Sequence, residues 1–412
     1  MEGPKARLNL ALATLAFGLC FAVWSLISPL APEFQRSLGL TDTQTGLLIA
    51  VPVLLGSLFR IPMGILTDRF GGRIVFTALM AFCIVPVLFM GTADSYWMLL
   101  FGGLFLGMAG SSFAVGVPFV SRWYSAGRQG AALGIYGAGN VGTALAAYSV
   151  PAIAAGFGLS YAFWAFAPVL AIAALLFWVL AEDAPGAPPP RSLSQSLQVV
   201  QRDRLSWLFS LFYFVTFGGF VAFSIFLPKL LVDWFALSKT EAGLRTAVFV
   251  ILATAARPLG GYVADRVGGA RLLAWVFGLV PLLALVLAFE ALSPEITGVT
   301  IAALGLAALL GLGNGAVFKL VAQYFPRNTG VVTGVVGAAG GIGGFFPPMV
   351  MGAVRDLTGS YAIGLALLAL VAAACLALDV CVLLERSRRR PVGETATVVQ
   401  QPPGAGHQPI DR

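Results

Sequence analysis

Two arginines stand alone in apolar stretches, each followed at the same interval by the same pair of residues. Arg60 lies in "LLGSLFRIPMGILTDRFGGR", with Asp68-Arg69 eight residues on, and Arg257 opens "RPLGGYVADRVGG", with Asp265-Arg266 at that spacing again. With the two aspartates at the edge of a bilayer's hydrocarbon, eight helical residues climb ~12 Å toward a midplane ~15 Å away. An arginine there costs ~3 kcal/mol on insertion scales and cannot shed its charge. Two fixed cations facing one cavity want an anion, and a fork with in-plane donors suits a planar oxyanion. A structural ion pair is the competing reading. The spans offer Asp379 and Glu290 for it, neither on the predicted central face.

The elements that hold these arginines must be membrane helices. Of 412 residues 58% are hydrophobic and 10% charged, where a soluble domain carries about 25% charged residues. Apolar blocks long enough to cross a bilayer fall at 8–30, 45–66, 74–92, 97–121, 129–154, 160–181, 205–231, 241–264, 271–292, 297–321, 329–353 and 361–384. The 49 glycines and 24 prolines are frequent inside them, a composition that packed membrane helices tolerate. With the N-terminus inside, only Arg36, Lys229, Lys239, Arg245 and Arg355 of the 25 basic residues fall outside. That asymmetry puts both termini in the cytoplasm and argues against nucleic acid as partner of the net positive charge. The first block is too long for a cleaved signal peptide, which suits an uncleaved span in a bacterial cytoplasmic (inner) membrane.

The expected fold class is therefore an all-α membrane protein, twelve transmembrane helices in two six-helix bundles. The proline-rich segment "AEDAPGAPPPRSLSQSLQVVQRDR" reads as a linker. It divides the chain into an N-terminal bundle (1–181), a linker (182–204) with a surface helix from Ser192 to Arg204, a C-terminal bundle (205–385) and a disordered tail (386–412) holding the bystander His407. Cys20, Cys83, Cys375 and Cys381 lack metal-ligand spacing, so no metal, cofactor or disulfide is expected. No His, Cys or carboxylate constellation in the spans points to an enzyme.

The halves repeat: Arg60 and Asp68 recur as Arg257 and Asp265 at an offset of 197, and Tyr124, Gly134 and Gly137 recur as Tyr324, Gly334 and Gly337 at an offset of 200. The pattern Gly137-Ala-Gly139-Asn-Val-Gly142 lies in an apolar span, which excludes a dinucleotide fingerprint. These glycines and Gly337, Gly340 and Gly343 are expected to let helices pack closely and slide between halves. Duplicated six-span halves and "GILTDRFGGR" resemble the major facilitator superfamily, whose signature Gly-x-x-x-Asp-Arg-x-Gly-Arg-Arg is met at Gly64, Asp68, Arg69, Gly71 and Arg73. Asp68, Arg69, Arg73, Asp265 and Arg266 are then gating candidates, a carboxylate latching one half to a helix N-terminus of the other.

Within that superfamily the chain resembles the nitrate/nitrite porters (NarK-like) over about residues 8–385. The marks are "GIYGAGNVGTALAAYSVP" and "GVVGAAGGIGGFFPP", which match the family's two nitrate-signature segments. The resemblance implies a secondary transporter of nitrate and nitrite, functional as a monomer. It implies substrate roles for Arg60, Arg257, Tyr213, Phe217, Phe113 and Asn140. Lys319 in "GNGAVFKLVAQYF" reads as a third intramembrane cation. A lysine can give up its proton when desolvated, so anion and proton are expected to bind together, as in proton-coupled nitrate uptake. The alternatives are Lys319 snorkelling to its helix end, a nitrate/nitrite antiporter, an oxalate/formate-type carboxylate exchanger, and an anion sensor or channel.

Overall fold

A computed structural model describes residues 3–125, 128–185, 203–325 and 329–384. The expected linker helix and the C-terminal tail lie outside the described residues, apart from Asp203 and Arg204. Among the described residues twelve helices are long and apolar enough to cross a membrane, and there is no strand. They are α1 (Pro4–Leu38), α2 (Asp42–Phe70), α3 (Gly72–Met90), α4 (Tyr96–Ser121), α5 (Ala132–Phe157) and α6 (Leu159–Leu180). The second set is α7 (Arg204–Phe235), α8 (Lys239–Val267), α9 (Gly269–Glu290), α10 (Ile296–Tyr324), α11 (Val332–Thr358) and α12 (Ala362–Leu384).

Local chemistry sets the ends. The Thr41 side chain and Gln44 form a reciprocal capping box that starts α2. Asp203 and Ser238 accept from the first backbone amides of α7 and α8. The turns after the two Asp-Arg pairs are built alike: Gly71 (φ 87°) and Gly268 (φ 92°) both adopt a left-handed backbone, which favours glycine. The first span runs beyond the expected 30, through a 3₁₀ turn at Ser28–Leu30 into a short helix to Leu38. Its polar face, with Glu33, Gln35 and Arg36, reads as a loop in the sequence.

Several helices break at mid-depth. Helix α2 pauses at Phe59, three residues before Pro62, whose missing N–H leaves the Leu58 carbonyl without its helical donor. A 3₁₀ turn at Gly107–Ser111 interrupts α4 and one at Ala138–Val141 interrupts α5. Irregular backbone survives at membrane depth only where protein surrounds it, and Ser57, Ser111 and Asn140 are buried.

Helix pairing follows the duplication. In the first half α1 packs on α5, α2 on α4 and α3 on α6; in the second α7 packs on α11, α8 on α10 and α9 on α12. The two halves meet through α2 against α11 and α5 against α8, a pair of seams related by the same six-span shift. These seams run chiefly through Phe346–Thr358 and Gly142–Phe157, the ends away from the face that carries Pro4 and Leu384. That second face is called here the terminal face.

The glycines expected to slide between halves divide into two groups. A Cβ on Gly139 would strike Phe17, and one on Gly142 would collide with the Gly18 carbonyl oxygen, so both seat α5 on α1. Gly340 and Gly343 meet Tyr213 and Phe214 of α7 in the same manner. These four pack helices closely inside their own bundle, the close approach expected of them. Gly137 and Gly337 alone of the six face the other half, near Arg257 and Phe113. Gly142→Leu should therefore lower stability by about 1–3 kcal/mol, the cost of overpacking. Gly134→Ala, with nothing within 4 Å of its Cβ position, should leave the thermal midpoint in detergent unchanged.

Candidate functional site

The two arginines converge from opposite halves. Arg60 follows the Phe59 break in α2 and is 5% exposed; Arg257 precedes Pro258 in the unbroken α8 and is half-buried. Both guanidinium groups face the same two rings. The Arg60 Cζ lies 5.7 Å from the centroid of Phe113 and 5.5 Å from that of Phe217; Arg257 lies 5.8 and 6.0 Å from them. Cation–π attraction steadies such groups in a site with little water. Tyr213 stacks on Phe217 at 4.9 Å and an interplanar angle of 4°, as the i, i+4 spacing on α7 predicts.

The donors are underused. Arg60 Nη1 donates to the Gly337 carbonyl of α11, a bond that crosses between halves. Arg257 Nη2 donates to the Tyr213 hydroxyl at 3.1 Å. Arg60 Nε and Arg257 Nη1 are buried without a partner. Among the described residues neither arginine pairs with a carboxylate: Asp379 is buried in α12 with both oxygens unpartnered, and Glu290 accepts from the Glu295 amide. The structural ion-pair reading of the arginines is thereby excluded among these residues. What remains is a cationic slot with aromatic walls and spare in-plane donors, which matches a flat monoanion in charge and shape.

Of the residues expected here, Arg60, Arg257, Tyr213, Phe217 and Phe113 come together. Asn140 sits on the 3₁₀ turn of α5 and donates from Nδ2 to the Gly137 carbonyl at 2.9 Å, its own Oδ1 buried and unpartnered. It shapes the turn that brings Gly137 up to Arg257. Phe318 of α10 is a wall that the sequence reading passed over. Its ring lies 5.2 Å from the Arg257 Cζ and 4.8 Å from the Tyr213 ring. The repeat gives no signal for it: at the offset of 200 Phe113 corresponds to Gly313, and Phe318 to Pro118.

Lys319 does not join them. It forms an ion pair with Asp265, near the terminal face and inside the second half. The expectation of a third cation in the central cavity is corrected, and the alternative placement near the helix end holds. The other gating candidates also have partners in their own half. Asp68 pairs with Arg122, the residue that follows α4, and Arg73 donates to the Trp178 carbonyl at 2.8 Å while stacking on its ring. Arg69 lies over Phe70, and Arg266 over Tyr262.

Comparison with known proteins agrees with this architecture. The family model described as Major Facilitator Superfamily matches residues 13–348 and 209–405. The "Nitrite extrusion protein" of Bacillus subtilis (strain 168) is 41% identical over 370 residues, covering 90% of this chain and 93% of that relative. The "Probable nitrate/nitrite transporter NarK2" of Mycobacterium tuberculosis (strain CDC 1551 / Oshkosh) is 41% identical over 403 residues, covering 96% and 100%. Among solved structures, a bacterial homologue of the human lysosomal transporter Spinster superposes with a TM-score of 0.71 at 19% identity, covering 94% of this chain and 98% of that one; the likeness is one of fold.

Tyr213→Phe keeps the stack on Phe217 and removes the hydroxyl that holds Arg257. Affinity of the slot for a planar monoanion, read by calorimetric titration with nitrate as the probe, should weaken by about tenfold, the equivalent of one charge-assisted hydrogen bond.

Proposed function

The chain belongs to the nitrate/nitrite porter (NarK-like) family of the major facilitator superfamily, and on that premise we propose that it carries nitrate and nitrite by alternating access. It is a multi-pass membrane transporter and not an enzyme. One observation supports the substrate reading above others: Arg60 and Arg257, donated by different halves, share the rings of Phe113 and Phe217 and keep buried donors without acceptors. A planar anion can fill those donors from both sides at once and draw the halves together. The distribution of basic residues supports placing the terminal face in the cytoplasm. The tight seams away from that face support reading the conformation as inward-facing.

Exchange is the mode the site favours. Proton-coupled uptake, as expected from the sequence, rests on Lys319 responding to an arriving anion, and its pairing with Asp265 lends that route no support. A site with two permanent cations and, among the described residues, no carboxylate is costly to close empty. A carrier built on it therefore returns more readily with a second anion aboard than without one. The relative described as extruding nitrite is consistent with this direction of traffic.

Radiolabelled nitrate uptake into proteoliposomes tests the proposal. Internal nitrite should accelerate uptake while an inward proton gradient alone should not; uptake driven by the gradient alone overturns exchange. Competition by oxalate or formate, with none by nitrite, overturns the substrate reading. Arg60→Lys keeps the charge and loses the fork, so exchange should fall about a hundredfold, as for two charge-assisted hydrogen bonds lost. Lys319→Ala should retain exchange.

A further inference from the structure

The latch chemistry expected beside Asp68 occurs at the other end of the molecule, in a cluster that the transport site does not use. Helix α2 begins with Asp42, and two interactions of opposite polarity join that start to the second half. Asp356 of α11 accepts from the backbone amides of Asp42 (3.0 Å) and Thr43 (2.7 Å) and from the Thr43 hydroxyl. A carboxylate of one half thus caps a helix N-terminus of the other, where the helix dipole is positive. The Asp42 side chain points the reverse way: Oδ1 accepts from Lys229 of α7 at 2.7 Å, and Oδ2 lies 3.4 Å from Arg355 Nε.

Lys229 makes this contact more than a surface pairing. Its side chain is 0% exposed, and its ammonium donates at 2.7 Å each to Asp42, Gln35 and Asp233. Two of those three acceptors belong to the first half. Separating the halves here would leave a buried ammonium with one partner, which is expensive. Asp233 in turn holds Arg355 and accepts from the Tyr361 hydroxyl at 2.5 Å. Burial and the Asp233 carboxylate raise the Tyr361 phenol above its usual range, so it stays a donor. Lys229 and Arg355 balance Asp42 and Asp233 only while both halves are in contact. The backbones approach closely at the same place: Cβ atoms on Gly46 and Gly352 would collide with the Pro348 and Asp42 carbonyls across the seam.

We propose that Asp42, Lys229, Arg355 and Asp356 form the outer gate, a clasp that sets the balance between inward- and outward-facing states. The proposal rests on the alternating-access reading above. It concerns conformation, so it can be tested without substrate. Asp94 and Leu292 are exposed, on different halves, at the face away from the termini. Spin labels on Asp94→Cys and Leu292→Cys, in the full chain in nanodiscs with exposed Cys381 replaced by alanine, report the width of that face by double electron–electron resonance.

In the otherwise unaltered chain the short separation should dominate. Asp356→Asn, at an exposed position, and Asp42→Asn should each raise the long-separation population about tenfold relative to the short one, as for one charge-assisted hydrogen bond lost. Thr43→Val, which deletes a single donor to Asp356, should give a smaller shift in the same direction. Unchanged distance distributions in all three variants, with each eluting as a single species, overturn the gate. Shifted distances in the variants, with the unaltered chain itself failing to move nitrate, leave the gate standing and overturn the substrate reading. Unchanged distances in variants that still exchange nitrate overturn the gate alone.

Discussion

Two guanidinium groups brought together from opposite halves, with no carboxylate partner among the described residues, are the constraint from which the rest of the structure follows. Neither charge can be neutralised by losing a proton, so the surroundings must tolerate it. The protein does this with ring faces, one carbonyl and one hydroxyl, acceptors that carry no formal charge. A carboxylate would have stabilised the arginines more and left nothing for a substrate to do. The orphaned donors Arg60 Nε and Arg257 Nη1 are stability forgone, the trade expected where the proposed substrate would bind.

The duplication supplies the geometry. Bringing two like charges to one point requires two helices that reach the same depth from opposite sides, and a repeated half does this by construction. The matched left-handed turns at Gly71 and Gly268 and the paired seams of α2 on α11 and α5 on α8 are one arrangement made twice, whereas the ring of Phe318 beside Arg257 has no counterpart at the repeat position, Pro118. The copies have diverged where charge is concerned. The second carries Lys319 against Asp265 where the first sets Arg122 against Asp68, so the terminal-face pairs are analogous without being identical in register.

Much of this was legible in the sequence because membrane burial leaves strong marks. Twelve apolar blocks become twelve helices, and the eight-residue interval from each arginine to its aspartate gives the depth of the site. The i, i+4 spacing of Tyr213 and Phe217 becomes a stacked pair. What was missed depends on tertiary partners. Lys229 reads as an outer-loop charge because α7 ends nearby, yet it is enclosed by residues nearly two hundred positions earlier in the chain. Lys319 reads as a cavity cation because its partner lies on another helix. Glycine patterns announce close approach without saying to what, so Gly139 and Gly142 look the same on paper as Gly137.

The enclosure of Lys229 has a consequence for biogenesis. Chains are made from the N-terminus and their domains fold in that order, so Gln35 and Asp42 are in place before α7 leaves the ribosome. Lys229 and Asp233, an i, i+4 pair, enter the bilayer as a neutral couple, which lightens the penalty of inserting either one alone. The finished first half then presents ready acceptors for the ammonium. In this chain the order of synthesis and the order of electrostatic need coincide, and a circularly permuted version beginning at α7 would have to insert Lys229 before its remaining acceptors existed.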